Sequence, residues 1–148
     1  MVNNFRGLYM TIINEKFTVH TKGNTEIKDI TRLVQNAVYK HSLQNAVVHV
    51  YVAGSTVSIT NIEYEDGLLQ DLPEALDRIA PVNKEYHHDE SWHDGNGYAH
   101  VRASIVGNST MVPLIEGALQ LGQWQQIVLI DFDNKARTRT VHVQILYH

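Results

Sequence analysis

The chain contains no cysteine, which excludes disulfides, thiolate metal sites, iron–sulfur clusters and cysteine nucleophiles. Any bound metal must therefore use His, Asp or Glu. There is no apolar run near the roughly 20 residues of a membrane helix, and the opening MVNNFRGLYMTIINEKF lacks the basic-then-apolar layout of a signal peptide. Both absences predict a soluble cytoplasmic protein without a membrane partner. Clustered positive charge is also lacking: 12 Lys and Arg stand against 16 Asp and Glu, a formal charge of −4. The densest basic cluster is Lys135, Arg137 and Arg139, too little for phosphate neutralisation along a nucleic acid. Charged residues make up 19% of the chain, below the roughly 25% of an average domain, as expected where partners cover part of the surface. Against these deficits stand 148 residues, 43% of them hydrophobic. A chain of that size hides roughly 70% of its unfolded surface on folding, so the sequence predicts one domain, residues 1–148, with residues 1–16 as a possible peripheral extension, and excludes disorder.

Along the chain, LYMTIINEKFTVH mixes β-branched, aromatic and polar residues and predicts one or two strands before a turn at Lys22, Gly23 and Asn24. In TEIKDITRLVQNAVYK, apolar residues recur at steps of three and four, which predicts a helix capped by Asn24 or Thr25. Residues 45–63 predict two strands broken at Gly54. Asp71, Leu72, Pro73 and Glu74 look like a helix start, and Pro81 a stop. Residues 81–99 are polar and rich in Gly, Asn and Asp, longer than most connections and so a functional-loop candidate. HVRASIVG then predicts a strand, and QIVLIDF and RTVHVQILY, flanking a turn at 133–136, a closing hairpin. With strands outnumbering helices and no strict alternation, an α+β fold with two main helices results.

The sharpest chemical signal is the stretch from Tyr86 to His100, which gathers four imidazoles and three carboxylates in fifteen residues. These are the groups that zinc and similar metals bind, although the spacing matches no established motif. His100, placed at the start of a strand, is the better positioned ligand, and Arg102, two residues on and thus on the same strand face, is a candidate anion ligand. Glu63 ends an apolar strand beside Glu65 and Asp66, a candidate carboxylate or simply part of an acidic surface. His20, His41, His49 and His142 are scattered and read as surface or satisfied histidines. The Gly107–Pro113 turn, with Ser109, could cradle phosphate through its backbone amides or could serve folding alone. Trp124 could stack on a flat ring, though core packing is the commoner role.

The runs NGYAHVRASIVGNSTMVPLIEGALQLGQWQQIVLIDFD and YVAGSTVSITNIEYEDGLLQDLPEAL resemble the YjbQ-type family, small proteins described as secondary thiamine-phosphate synthases. The resemblance spans roughly Phe17 to Leu146, and its G-x-x-x-x-V-P-x-x-x-G and L-G-x-W-Q-Q elements are specific in combination. It implies an α+β mixed-sheet sandwich assembling as a homotrimer. It also implies a site in which Glu63, the His88–Asp89 pair and His100 match family positions, while Gly54, Ser55 and Thr56 stand where His-Thr-Thr is expected. The implied activity joins a pyrimidine diphosphate to a thiazole phosphate with release of diphosphate. For that reaction the resemblance assigns a divalent metal, zinc or magnesium, to His88, His100 and Glu63, with His87 or His93 as possible replacements for the missing imidazole. Arg102 would neutralise diphosphate, and Ser104, Ser109 and Thr56 would bind phosphate oxygens. Two other readings stay open: metal-dependent phosphoester hydrolysis, and a trimeric protein that binds a metal or small ligand without turnover.

Overall fold

A computed structural model describes residues 9–148; the expectation for the first eight residues lies outside them. The order is β1 (Thr11–Thr21), β2 (Glu26–Asp29), α1 (Thr31–Tyr39), β3 (Ala46–Val52), β4 (Val57–Glu63), α2 (Leu68–Ile79), α3 (His87–Trp92), α4 (Gly97–Val106), β5 (Ser109–Ile115), β6 (Ala118–Leu119), β7 (Gln125–Asp131) and β8 (Arg137–Tyr147). Residues 11–16, expected as a peripheral extension, are the first half of β1, paired with β8 from Thr11↔Tyr147 onward.

Two sheets form, ordered β1-β8-β3-β5-β6 and β2-β7-β4. The mixed sheet implied by the resemblance is not found: every strand pairing among the described residues is antiparallel. The sheets face one another across a core of Val48, Val50, Val112, Val143 and Ile145 on one side and Val57, Ile59, Ile127 and Leu129 on the other. α1 closes this core with Ile30, Val34 and Val38. The opposite face of the smaller sheet carries Val128, Ile130 and Phe132, which pack on Leu76 of α2 and on Tyr98, Ala99 and Ala103 of α4. Because β7 is covered on both faces, residues 127–131 are all buried, and a doubly covered strand reads as a continuous apolar run.

Several expectations are corrected. The closing hairpin is absent, since β7 and β8 lie in different sheets and the 132–136 connection carries the chain from one to the other. α1 begins five residues later than its periodicity suggests: Glu26–Asp29 is a strand beside β7, and Asp29 Oδ1 accepts the Thr31 amide at 2.8 Å. Asn24 and Thr25 form a turn at positive φ instead. α2 begins at Leu68, not Asp71, because the Glu65 carboxylate accepts the amides of Gly67 and Leu68, and Pro73 lies inside the helix. The long loop contains α3, and HVRASIVG is the body of α4, so four helices replace the two expected.

A histidine–aspartate cleft as the candidate functional site

α3 and α4 meet over one end of the smaller sheet, which brings together residues the sequence leaves twelve apart. The helices are locked by Asp89 Oδ1, which accepts the Gly97 amide at 3.0 Å. Gly97 is required by space: a Cβ there would lie 2.4 Å from Tyr86 Cβ. His88 and His100 then stack with ring centroids 4.1 Å apart. His88 Nδ1 is 3.6 Å from both Asp89 Oδ1 and Asp94 Oδ1, and ligand atoms of the three residues lie within 4.8 Å of one another.

His88, Asp94 and His100 open into a cleft of about 380 Å³, whose other wall is Thr56, Asp133, Arg137 and Arg139. That wall is a charge lattice. Arg139 donates from Nε to Asp131 Oδ2 and from Nη2 to Asp131 Oδ1, both at 2.7 Å, and from Nη2 to Thr56 Oγ1 at 2.8 Å. Thr56 in turn donates to Asp133 Oδ2 at 3.1 Å, which also accepts from Arg137 Nε at 2.7 Å. Asp131 further accepts from Thr21 of β1 at 2.6 Å. Burial pushes the Asp133 carboxyl up, but hydrogen bonds from Arg137 and Thr56 and the charges of Arg137 and Arg139 outweigh it and hold it below its ordinary value. His100 is pushed down, first by burial and then by the neighbouring His88, so it favours the neutral form.

Four buried side-chain atoms among the described residues have no hydrogen-bond partner: Asn61 Oδ1, His88 Nδ1, Asn96 Oδ1 and Asp133 Oδ1. His88, Asn96 and Asp133 all line this cleft. Buried polar atoms left unpaired are costly, so three of them on one cavity call for polar partners inside it, supplied by water or by a ligand. The residues present fit a divalent cation: an imidazole nitrogen and two carboxylates converge, three protein ligands with positions to spare. The nitrogen in that set suits zinc better than magnesium, which prefers oxygen throughout.

The remaining expected site residues are distributed as follows. Glu63 is exposed at the far end of β4, opposite Gln125; six residues beyond Val57 is roughly 20 Å along a strand, so one protomer does not bring it to His88. Arg102 is not an anion ligand facing the site. On a helix, a residue two positions from His100 points to the opposite side, and Arg102 is 2% exposed, donating to Ala80 O, Thr25 Oγ1 and Asp77 Oδ1. Ser104 Oγ donates to His100 O at 2.8 Å, and Ser109 opens β5 opposite Tyr51, outside the cleft. Thr56 lies in it. His87 and His93 lie outside the His88, Asp89, Asp94 group.

Sequence reasoning counted Asp94 only as one carboxylate of the 86–100 stretch, noted Arg137 and Arg139 only as a sparse basic cluster and Asp133 only as part of a turn, and assigned none of the four to the site. A signal existed: Asp131 and Asp133, then Arg137 and Arg139, each alternate on a strand path and so point to one side.

Fold and site together define an α+β domain of two antiparallel sheets carrying a histidine–carboxylate cleft between a helix pair and the ends of β4, β7 and β8. The chain belongs to the YjbQ-like UPF0047 protein family, whose model matches residues 15–148. A UPF0047 protein of Archaeoglobus fulgidus is 38% identical over 131 residues, covering 88% of this chain and 99% of the relative. YugU of Bacillus subtilis is 31% identical over 130 residues, 86% and 95% of the two chains. Among solved structures, a YbjQ-like protein of Sulfolobus solfataricus P2 superposes with TM-score 0.87 at 30% identity, covering 95% of this chain and all of that one. A YjbQ/UPF0047 protein of Clostridium acetobutylicum gives TM-score 0.80 at 32% identity, covering 88% and 98%.

Proposed function

We propose that this chain is a metal-dependent transferase that acts on phosphorylated small molecules in the His88–His100 cleft, joining a pyrimidine diphosphate to a thiazole phosphate as the family resemblance implies. The observation that carries the reading is His88 Nδ1, buried without a hydrogen-bond partner and faced by two carboxylates in the same cavity as Arg137 and Arg139. A divalent cation at His88, Asp89 and Asp94 would supply charge neutralisation for a diphosphate leaving group. The chain's own residues do the rest. Arg137 spends only Nε on Asp133, which leaves the outer edge of its guanidinium to orient phosphoryl oxygens. His100, neutral and adjacent to the ligand set, is placed to hold or move a proton. Alignment of the two reactants supplies much of what such a reaction needs.

A second reading, metal-dependent phosphoester hydrolysis, is favoured by the same neutral His100, which could take a proton from water. One experiment separates them. Protein with zinc, manganese or magnesium is incubated with the pyrimidine diphosphate and the thiazole phosphate, singly and together, beside His88→Ala. Thiamine phosphate that requires both substrates and His88 supports the transferase. Phosphate released from either substrate alone supports the hydrolase. Metal and ligand bound without product leave the third reading, a binding protein.

No helix among the described residues is long and apolar enough to cross a membrane. We further propose a cytoplasmic homotrimer. Its support is the outer face of the five-stranded sheet, where Ile12, Val47, Met111 and Ile115 are 44–68% exposed and no helix packs.

A further inference from the structure

A second cavity, of about 230 Å³, adjoins the first and shares Gly54, Ser55 and His100 with it. Its remaining lining includes Ser104, Gly107 and Asn108. The two differ in charge. The first holds Asp94, Asp133, Arg137 and Arg139; the second holds hydroxyls, an amide, backbone and an imidazole, with no carboxylate, lysine or arginine. Gly54 stands at the seam. A Cβ at this position would lie 2.8 Å from Val57 Cγ1 and 3.1 Å from Arg139 Nη1, so any side chain would project where the two cavities meet. Around Gly107 the second cavity is open, with nothing within 4 Å of a Cβ position.

We propose that the cavity beyond Gly54 is the subsite for the uncharged, ring-sized part of the substrate, that Gly54 sets its specificity by leaving the seam open, and that His100 stands between this part and the charged part. The inference rests on the metal and phosphate reading of the first cavity and adds to it the division of the substrate into a charged half and an uncharged polar half. Charge segregation is the argument: a charged group beside Ser55, Ser104 and Asn108 would meet no side chain of opposite charge, whereas a neutral ring with polar edges finds donors and acceptors there and packs on Val57 and Ala103.

The test uses the full chain with zinc and two probes, inorganic phosphate and phenyl phosphate, followed by amide chemical shifts and titration. Inorganic phosphate should shift residues 54–56 and 94–100. Phenyl phosphate should shift these and also residues 104–108. In Gly54→Val the phenyl phosphate affinity should fall about tenfold or more, the scale of a methylene-sized misfit; Ser104 lines only the second cavity, so a substitution there should lower phenyl phosphate affinity and leave that for inorganic phosphate within about twofold. Ser104→Leu fills the same cavity from exposed helix surface and guards against a folding defect at Gly54, and it should act alike. Phenyl phosphate that shifts residues 54–56 and 94–100 but not 104–108, or keeps its affinity in both variants, overturns the subsite alone. No shift from metal or either probe overturns the metal and phosphate reading, and the subsite with it.

Discussion

His88 places a buried imidazole nitrogen in the cleft with two carboxylates at 3.6 Å each, too far for hydrogen bonds but close enough for a cation between them. His88→Ala should therefore weaken zinc binding by more than the roughly 10- to 100-fold that losing an outer-shell partner costs, measured by equilibrium dialysis; unchanged binding would remove the metal reading. The facing wall is structural as well as chemical. Arg139→Ala would leave the fully buried Asp131 without its bidentate partner, and stranding one member of a buried pair costs about 3–5 kcal/mol, to be read from urea denaturation. The acid behaviour of Asp133 follows from its depressed pKa. Its contribution is complete above the ordinary carboxylate value of about 3.9 and is lost as pH falls through the lower folded value. The stability gap between wild type and Asp133→Asn should thus be widest at neutral pH and close only in strong acid; a gap that closes between pH 7 and 5 would contradict this. Of these residues the sequence shows His88, Asp89 and His100 through local density of ligand types. It hides Asp133 and Arg139, whose meaning depends on two strands in different sheets.

At the scale of elements, the misreadings share a physical cause: local pattern reports what could pair, and tertiary packing decides what does. α4 looks like a strand because Val101, Ile105 and Val106 are β-branched, yet Val101 and Ile105 are on the exposed side. The buried side is Tyr98, Ala99, Arg102 and Ala103, where a salt-bridged arginine interrupts the apolar positions while apolar Val101 and Ile105 stand on the other side, so the helical period is masked. The closing strands look like a hairpin because the 133–136 connection has turn composition. The connection is instead pinned as a crossover between sheets, with the Asn24 amide donating to Asp133 O at 2.6 Å. Gly23 makes that approach possible: its φ is +76°, and a Cβ would lie 2.3 Å from Asp133 O and 2.6 Å from Lys135 O. Gly23→Ala should destabilise the fold by at least the about 1–3 kcal/mol of a strained backbone conformation. Because Asp133 hangs from the same crossover, the substitution should also weaken ligand binding in the cleft. A Gly23→Ala protein with wild-type melting temperature would show that the crossover is not held from this turn.

For the molecule as a whole, the layering is one sheet, a shared core, the second sheet and a helical cover, and one outer surface is left bare. The smaller sheet is buried on both faces, while the five-stranded sheet is covered only inside. Along its outside run Ile12, Val47, Met111 and Ile115, with Pro113 opposite Val47 and His49, Tyr51 and His142 farther along. The alternation is legible in the sequence, since β-branched residues at both parities of β3 suggest a strand covered twice, but one chain supplies only one cover. The apolar row is Ile12, Leu146, Val47 and Pro113, bordered by Asn14, Gln144 and His49 beside Met111; exposed apolar patches mark interaction sites, and a stable contact buries about 800 Å² per partner. Self-association through this face predicts sedimentation as a trimer of the 16.8 kDa chain. Val47→Lys with Met111→Lys should convert it to monomer while the far-ultraviolet spectrum stays intact, because both side chains point away from the core. The cleft lies over the other sheet, so metal binding should survive dissociation; if it is lost with the trimer, a neighbouring copy completes the site, and the exposed carboxylate of Glu63 becomes the first group to test there.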